Sequence, residues 1–167
     1  MLKFHFVICY KISNNRHLYS ALLPKSSEVG WRMVHMELSK IMITETSDHQ
    51  IIVLKEKDGQ RSFPIVIGLH EAWAIDRAVK GITTPRPLTH DLICNIIDGL
   101  NAGVVRIVIN DLRNNTFYAK VVLVQNGSTI EIDSRPSDAI ALAMQKNTPI
   151  FVARKVLEEV CNAENNL

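Results

Sequence analysis

Residues 128–143 read Ser-Thr-Ile-Glu-Ile-Asp-Ser-Arg-Pro-Ser-Asp-Ala-Ile-Ala-Leu-Ala. Apolar and polar residues alternate from Thr129 to Ile132, which is the period of a half-buried strand. After Pro136 the apolar residues recur at helical spacing, and proline suits a first helical turn because its φ angle is already fixed. The stretch therefore predicts a strand that runs directly into a helix.

Five polar residues crowd this junction: Asp133, Ser134, Arg135, Ser137 and Asp138. The first backbone N–H groups of a helix have no partner within the helix, so such a junction can bind an anion. The same residue types also cap helices and pair with one another, which is the structural alternative. Since a cap needs only one or two of them, the rest of the chain must decide between the two interpretations.

Composition and charge bound the class of protein. The chain has 167 residues, which suits one domain of about 100–200 residues. With 47% hydrophobic and 22% charged residues, it has the composition of a globular protein with a core. The formal net charge of +2 argues against a protein that is held on DNA by bulk charge.

The cysteines and the lengths of the apolar runs indicate the cellular compartment of the protein. Cys9, Cys94 and Cys161 are an odd number at no metal-ligand spacing, so neither a disulfide framework nor a zinc site is indicated. No apolar run approaches the roughly 18 residues that a membrane helix needs. We therefore expect a cytoplasmic protein with no membrane partner.

Two segments of different character are predicted. Residues 1–32 lack a sustained period and form an N-terminal appendage, whereas residues 33–167 form the domain. Met33 and Met36 precede the first well-patterned strand. One hypothesis is that translation starts at one of them and that the upstream residues are an annotation artefact.

Strands and helices alternate along the domain in a pattern that occurs twice. The first set comprises strands at 36–44, 51–54 and 63–67 and helices at 71–80 and 89–100. The second set comprises strands at 104–110, 117–124 and up to 133, a helix at 136–146, an extended piece at 149–152 and a helix at 153–160. When the sequence is aligned with itself so that Ile67 is paired with Ile132, Ala74 is also paired with Ala139, which favours an internal duplication.

Several spaced motifs resemble blocks of the bifunctional nuclease domain family, which is named for cleavage of both DNA and RNA. The signature is Asp133-Ser134-Arg135-Pro136-Ser137-Asp138-Ala139-Ile140-Ala141-Leu142-Ala143. Other similar blocks are Pro64–Gly68 with Glu71-Ala72, Arg86–Leu92, Asn110–Arg113 with Thr116–Ala119, and Pro149–Ala153. The resemblance covers Met36 to Val160 and leaves residues 1–32 outside it.

The resemblance implies both a fold and an activity. The fold is α+β, with a single curved, barrel-like mixed sheet that is built from two β3-α2 repeats and has helices packed on it. The activity is hydrolysis of phosphodiester bonds in DNA and RNA. Fold does not carry function by itself, so the candidate residues must be weighed separately.

Acidic residues at the ends of predicted elements suit phosphodiester hydrolysis. Clustered carboxylates commonly hold divalent cations, which lower the pKa of bound water and stabilise the attacking and leaving oxygens. The candidates are Glu71, Asp91, Asp111, Asp133 and Asp138. We expect Glu71, Asp133 and Asp138 to hold Mg²⁺ or Mn²⁺ or the attacking water, and we expect Asp91 to lie on a solvated face.

Basic and polar residues complete the predicted site. His90 can transfer protons because an unperturbed histidine titrates near neutrality, and Arg135 offers a planar fork of donors to a phosphate. The predicted catalytic set is thus Glu71, His90, Asp133, Arg135 and Asp138. Predicted nucleic-acid contacts are Arg86, Arg113, Ser134 and Ser137, with Arg106 and the aromatic pair Phe117 and Tyr118 as further candidates.

A second class of function is compatible with the same residues. The leading hypothesis is a metal-assisted nuclease of low sequence specificity that acts on DNA and RNA. The alternative is a non-catalytic regulatory module that binds an anion or a partner at the same junction. Because Pro64 removes a ladder donor, its strand belongs at an edge, and we expect some pairing between subunits in a homo-oligomer.

Overall fold

The computed structural model describes residues 6–9, 33–44 and 46–164. The first half of this part contains β1 (Phe6–Cys9), β2 (Met33–Ile43), β3 (His49–Glu56), β4 (Ser62–Gly68), α1 (Leu69–Lys80) and α2 (Thr89–Gly99). The second half contains β5 (Ala102–Arg113), β6 (Thr116–Gln125), β7 (Ser128–Ser134), α3 (Pro136–Lys146), β8 (Ile150–Ala153) and α4 (Arg154–Glu164). Every predicted element of the domain is present, and most of their bounds differ by one to three residues from the prediction.

Turn chemistry links the strands of the second half. Asn114 and Asn115 connect β5 to β6 with φ angles of 48° and 59°, and Asn126 and Gly127 connect β6 to β7 with 50° and 77°. Positive φ at both central residues is what the type I′ hairpin turn requires, and asparagine and glycine tolerate it best. These turns fix the antiparallel meander that leads into α3.

One mixed sheet holds the fold together. Seven strands follow the order β4-β3-β2-β8-β5-β6-β7, and β1 also pairs with β2, at Lys40–Ile43. All neighbours are antiparallel except β5 and β8, which run parallel. The short strand β8 therefore joins two three-stranded meanders, one from each predicted repeat. The α+β class and the mixed sheet are confirmed.

The barrel-like detail of the prediction is not confirmed, because the sheet does not close. Strands β4 and β7 are its two ends, and no ladder joins them. The sheet is nevertheless curved, since Phe63 of β4 stacks on Phe117 of β6 with ring centroids 5.6 Å apart. Helices α1 and α3 pack against each other and against opposite halves of the sheet, so side chains rather than backbone hydrogen bonds fill the space between the halves.

Helix α3 is the central helix of the core. Seven of its eleven residues are buried, and its run from Ala139 to Ala143 is enclosed on every side. The small alanines allow neighbouring elements to approach closely, while Ile140 and Leu142 fill the remaining volume. The stretch that predicts the strand-to-helix junction thus also provides the centre of the core.

Helix α2 presents an apolar ridge to solvent. The predicted stripe divides in two, because Ile93 and Ile97 face the protein whereas Leu92, Ile96 and Leu100 are exposed. The predicted homo-oligomer stays a prediction. Among the described residues, no helix combines the length and the apolar character that crossing a membrane would take.

The predicted appendage falls almost wholly outside the described residues. Within residues 1–32 the structure describes the backbone of β1, which pairs antiparallel with the end of β2. The rest of that segment lies outside the described part. The hypothesis of a start at Met33 or Met36 stays a prediction.

Stacking of Phe63 on Phe117 predicts a strong dependence of stability on Phe63. We expect Phe63→Ala to lower the free energy of unfolding by about 3–5 kcal/mol, because the ring is buried and its removal leaves a cavity. Val66→Ala on the exposed side of the same strand is the matched control and should change stability by about 0.5 kcal/mol or less. Urea unfolding of both variants checks this, and equal losses would contradict the described packing.

Candidate functional site

Two helices begin directly after the two edge strands of the sheet. Gly68 precedes α1 and Arg135 precedes α3, both with extended backbone and neither with a side chain that caps its helix. Each helix carries an acidic residue in its first turn, Glu71 in α1 and Asp138 in α3. An acid at this position is favoured because the start of a helix carries a partial positive charge.

Arg135 joins the two acidic residues. Its Nη2 lies 2.9 Å from Oε1 of Glu71 and donates to Oδ1 of Asp138 at 3.0 Å, while its Nε donates to Oδ2 of Asp138 at 2.6 Å. The Asp138 contact is therefore bidentate, which is the strong form of a charge-assisted pair. The Arg135 side chain is 65% exposed, so the guanidinium also faces solvent.

His90 of α2 extends this network to a third helix. Its Nε2 lies 3.1 Å from Oδ1 of Asp138, and its side chain is 13% exposed. The four residues Glu71, Arg135, Asp138 and His90 thus form one connected polar series across the starts of α1, α2 and α3. We call this series the Arg135 network.

The charge of Asp138 determines the proton arrangement on His90. The hydrogen bond from His90 and then the Arg135 guanidinium lower the pKa of Asp138 to about 2, so its carboxyl is ionised at neutral pH. An ionised carboxylate can only accept, and His90 Nε2 must therefore donate. In the neutral ring this leaves Nδ1 with the free lone pair, and no described residue bonds to Nδ1.

Gly68 gives the Glu71 carboxylate its place. A Cβ at position 68 would collide with Oε2 of Glu71. The carboxylate therefore folds back over the end of β4, within reach of Arg135. Any larger residue at position 68 would displace it.

The structure places Asp133 outside the Arg135 network. Asp133 pairs with Lys120 across the ladder of β6 and β7, on the side opposite to the core residue Val121. No hydrogen bond or ion pair within the described part of the chain joins it to the other predicted catalytic residues. Asp133 is exposed on the edge strand β7, two residues before Arg135.

The residues predicted to contact nucleic acid lie in different environments. Ser134 donates to the carbonyl of Arg135 at 3.0 Å, whereas the Ser137 side chain is buried in the first turn of α3. Arg86 is exposed in the connector before α2. Arg106 is half-buried on β5, so it is less open to a ligand than Arg86.

Asp91 has a structural role that the sequence did not predict. Its Oδ1 accepts from Arg77 of α1 at 2.8 Å and from Gln145 of α3 at 2.9 Å, and its Oδ2 accepts from the backbone of Leu88. Arg77 is the main cause of the lowered pKa of Asp91. The prediction of a solvated face is therefore wrong, because this carboxylate ties three helices together.

A second charged cluster surrounds Asp111 at the tip of the β5–β6 hairpin. Lys155 donates to its Oδ1 at 2.6 Å and Arg113 to its Oδ2 at 2.7 Å, and these two cations lower the pKa of Asp111 to about 2. The guanidinium of Arg113 lies 5.1 Å from the ring centroid of Tyr118. The two aromatic residues predicted to contact nucleic acid face in different directions. Phe117 packs inward on Phe63, whereas Tyr118 points outward.

The described residues do not fit the predicted divalent cation. Among them no three side chains of histidine, cysteine, aspartate or glutamate are grouped to hold a metal ion. Arg135 already occupies the space between the carboxylates of Glu71 and Asp138, and Asp133 lies elsewhere. The cation stays a prediction from the sequence, and no chemistry is assigned through it.

Comparison with known proteins identifies relatives that match most of residues 33–167. The sequence profile of the bifunctional nuclease domain matches residues 52–165. An uncharacterized protein of Mycobacterium tuberculosis is 38% identical over 119 residues, which is 71% of each chain. Bifunctional nuclease 1 of Oryza sativa is 27% identical over 120 residues, or 70% of this chain and 36% of that protein. Bifunctional nuclease 2 of Oryza sativa is 28% identical over 129 residues, or 75% of this chain and 40% of that protein.

The Asp138 contacts predict a stability that depends on pH. Its pKa falls from 3.8 to about 2 on folding, which corresponds to roughly 2 kcal/mol of stability. Because the folded pKa is lowered, this contribution is complete above pH 4 and is lost as the pH falls towards 2. We expect Asp138→Asn to be less stable than the parent by at most about 2 kcal/mol at pH 7.

Urea unfolding at pH 7, 4 and 2.5 measures this difference. The difference in free energy of unfolding between the parent and Asp138→Asn should become smaller as the pH falls, because the Asp138 carboxyl of the parent becomes protonated. Asp98→Asn removes another paired carboxylate, from an exposed contact with Lys146, and should cost about 1 kcal/mol or less. A gap that stays constant with pH would contradict the described contacts of Asp138.

Proposed function

Because the chain belongs to the bifunctional nuclease domain family, we propose that it is a nuclease that hydrolyses phosphodiester bonds of DNA and RNA with low sequence specificity. The Arg135 network is the observation that carries this proposal. It places a histidine, a carboxylate and a solvent-exposed arginine within one hydrogen-bonded series. Two relatives from rice are named bifunctional nucleases, which supports a nuclease activity.

His90 is the proposed general base. Its Nδ1 lone pair accepts a proton from a water molecule as the water oxygen attacks phosphorus. Asp138 holds the ring through Nε2 and stabilises the positive charge that the ring acquires, which is the role of a carboxylate beside a catalytic histidine. The bond from phosphorus to the leaving sugar oxygen breaks, and solvent supplies the proton that this oxygen needs.

Arg135 is the proposed phosphate clamp. Its Nε and Nη2 are occupied by Asp138 and Glu71, whereas Nη1 has no partner among the described residues. The two N–H groups of Nη1 are therefore available to the non-bridging oxygens of a phosphate. Donors that are already fixed in place stabilise developing negative charge at little cost in reorganisation.

Glu71 is the proposed positioning residue of the network. Its Oε1 lies 2.9 Å from Nη2 of Arg135, and this ion pair favours one orientation of the guanidinium. Gly68 has no side chain and therefore leaves room for the Glu71 carboxylate at this place. Because these groups address phosphate and water rather than base edges, we expect little sequence preference. Arg86 and Ser134 remain proposed contacts to the nucleic-acid backbone.

A specific observation also favours the non-catalytic alternative. Arg135 already contacts two carboxylates, and His90 is mostly enclosed, so the same network can hold three helices together without chemistry. A module of this kind would bind an anion or a partner through the open side of Arg135. Turnover separates the two functions, because only the nuclease consumes its substrate.

Cleavage assays on matched variants test the proposal. We expect the purified protein to degrade labelled single-stranded DNA and RNA, and His90→Gln to lower kcat by about 10²- to 10⁴-fold because proton transfer is lost. Arg135→Gln should lower kcat by about 10²- to 10³-fold, since charge stabilisation is lost. Asp133→Asn should retain activity, because Asp133 lies outside the network.

Controls guard against contaminating nucleases and misfolding. Asp98→Asn carries its change on the same helix as His90, far from the network, and should cleave like the parent. Assays with Mg²⁺, with Mn²⁺ and with a chelator test the predicted cation separately. Equal traces of cleavage in the parent and in folded His90→Gln would overturn the nuclease and favour the binding module.

A further inference from the structure

We propose that Tyr118, Arg113 and Lys155 form a subsite beside the Arg135 network that binds an unpaired base and its phosphate. The ligand is therefore single-stranded nucleic acid, and the inference rests on the proposed nuclease function for its biological meaning. The residues lie on the β5–β6 hairpin and at the start of α4. We call this group the hairpin subsite.

Tyr118 supplies an accessible aromatic surface. Its neighbour Phe117 turns inward to stack on Phe63, so strand alternation turns Tyr118 outward. The Tyr118 residue is 37% exposed, and the Arg113 guanidinium lies 5.1 Å from its ring centroid. Aromatic rings and arginine planes are the two surfaces on which proteins stack unpaired bases.

The register of the sheet brings the backbone of Tyr118 close to that of Arg135. Ala119 of β6 pairs with Ser134 of β7, which is the last pair of this ladder, and Tyr118 and Arg135 each adjoin one member of that pair. Neighbouring strands lie about 5 Å apart, which is less than the span of one nucleotide. A base on Tyr118 would therefore belong to a nucleotide close to the phosphate that Arg135 binds.

The charges of the hairpin subsite suit a phosphate. Arg113 and Lys155 share one carboxylate, Asp111, so the three groups together carry one net positive charge. Both cationic side chains are 66% exposed, and each retains N–H groups beyond those that Asp111 accepts. Asp111 thus holds both cationic side chains in place but neutralises only one of their two positive charges.

The geometry selects single strands rather than a duplex. A tyrosine at a hairpin tip can stack only on a base that has left its neighbours, because bases within a duplex already cover one another. The network reads phosphate, which DNA and RNA share. The combination predicts a preference for unpaired segments of either polymer.

Fluorescence anisotropy with labelled oligo-dT and oligo-rU tests the subsite. All variants carry His90→Gln, so that the substrate survives the measurement. We expect Tyr118→Ala to weaken binding of both single strands by about 5- to 100-fold, whereas Tyr118→Phe keeps the ring and binds like its parent. A labelled duplex of equal length should show no difference between these variants.

The phosphate contact has its own readout. We plot the logarithm of the binding constant against the logarithm of the salt concentration. Lys155→Gln should reduce the magnitude of this slope by about 0.7, because the variant contacts one phosphate fewer and releases one counterion fewer from the single strand. Lys80→Gln is the matched control, since Lys80 also sits in a surface ion pair but at the far end of α1 from Glu71. Lys80→Gln should leave the slope unchanged.

The outcomes separate the subsite from the proposed nuclease function. If Tyr118→Ala binds oligo-dT and oligo-rU as tightly as its parent does, the hairpin subsite is wrong. This conclusion holds even if the cleavage assays show activity. Tyr118-dependent binding without any cleavage by the parent protein supports the subsite and contradicts the nuclease. Thermal unfolding confirms that each variant is folded, and a folded parent that binds neither oligonucleotide also overturns the subsite.

Discussion

The contact of Arg135 with the carboxylates of Glu71 and Asp138 is the interaction on which the candidate site depends. It joins the first turns of α1 and α3, the two helices that fill the space between the halves of the curved sheet. An unpaired carboxylate in this half-enclosed position would be costly, and the shared guanidinium satisfies both. Together with the hydrogen bond from His90, the Arg135 contact lowers the pKa of Asp138 to about 2, and the ionised carboxylate accepts the proton of His90 Nε2.

The fold brings these residues together through packing rather than through the order of the chain. The end of β4 reaches the start of α3 because the sheet curls, as the stacking of Phe63 on Phe117 shows. The side chains of α3 are small enough to let this helix lie at the centre of the core. As a result, the site lies where the two halves of the sheet meet, and neither half of the chain contains it alone.

Local chemistry explains what could be predicted from the sequence. Proline and helical spacing define α3, so its predicted bounds match, and the spacing of Arg135 and Asp138 suggests their pairing within one turn. The contact of His90 with Asp138 spans 48 residues, and no local pattern carries such information. The central position of β8 was missed for a related reason, because the partners of a strand are set by the whole sheet. The sequence places Asp133 at the junction but does not show which side chains contact one another there.

A double-mutant cycle on His90 and Asp138 tests the central claim, that these two residues act as one catalytic unit. The measurement is kcat for cleavage of a single-stranded oligonucleotide by the parent, His90→Gln, Asp138→Asn and the double variant. If Asp138 acts through His90, the double variant should lose no more than the worse single variant. Losses that multiply would contradict the account, since they would mean that the two residues contribute independently.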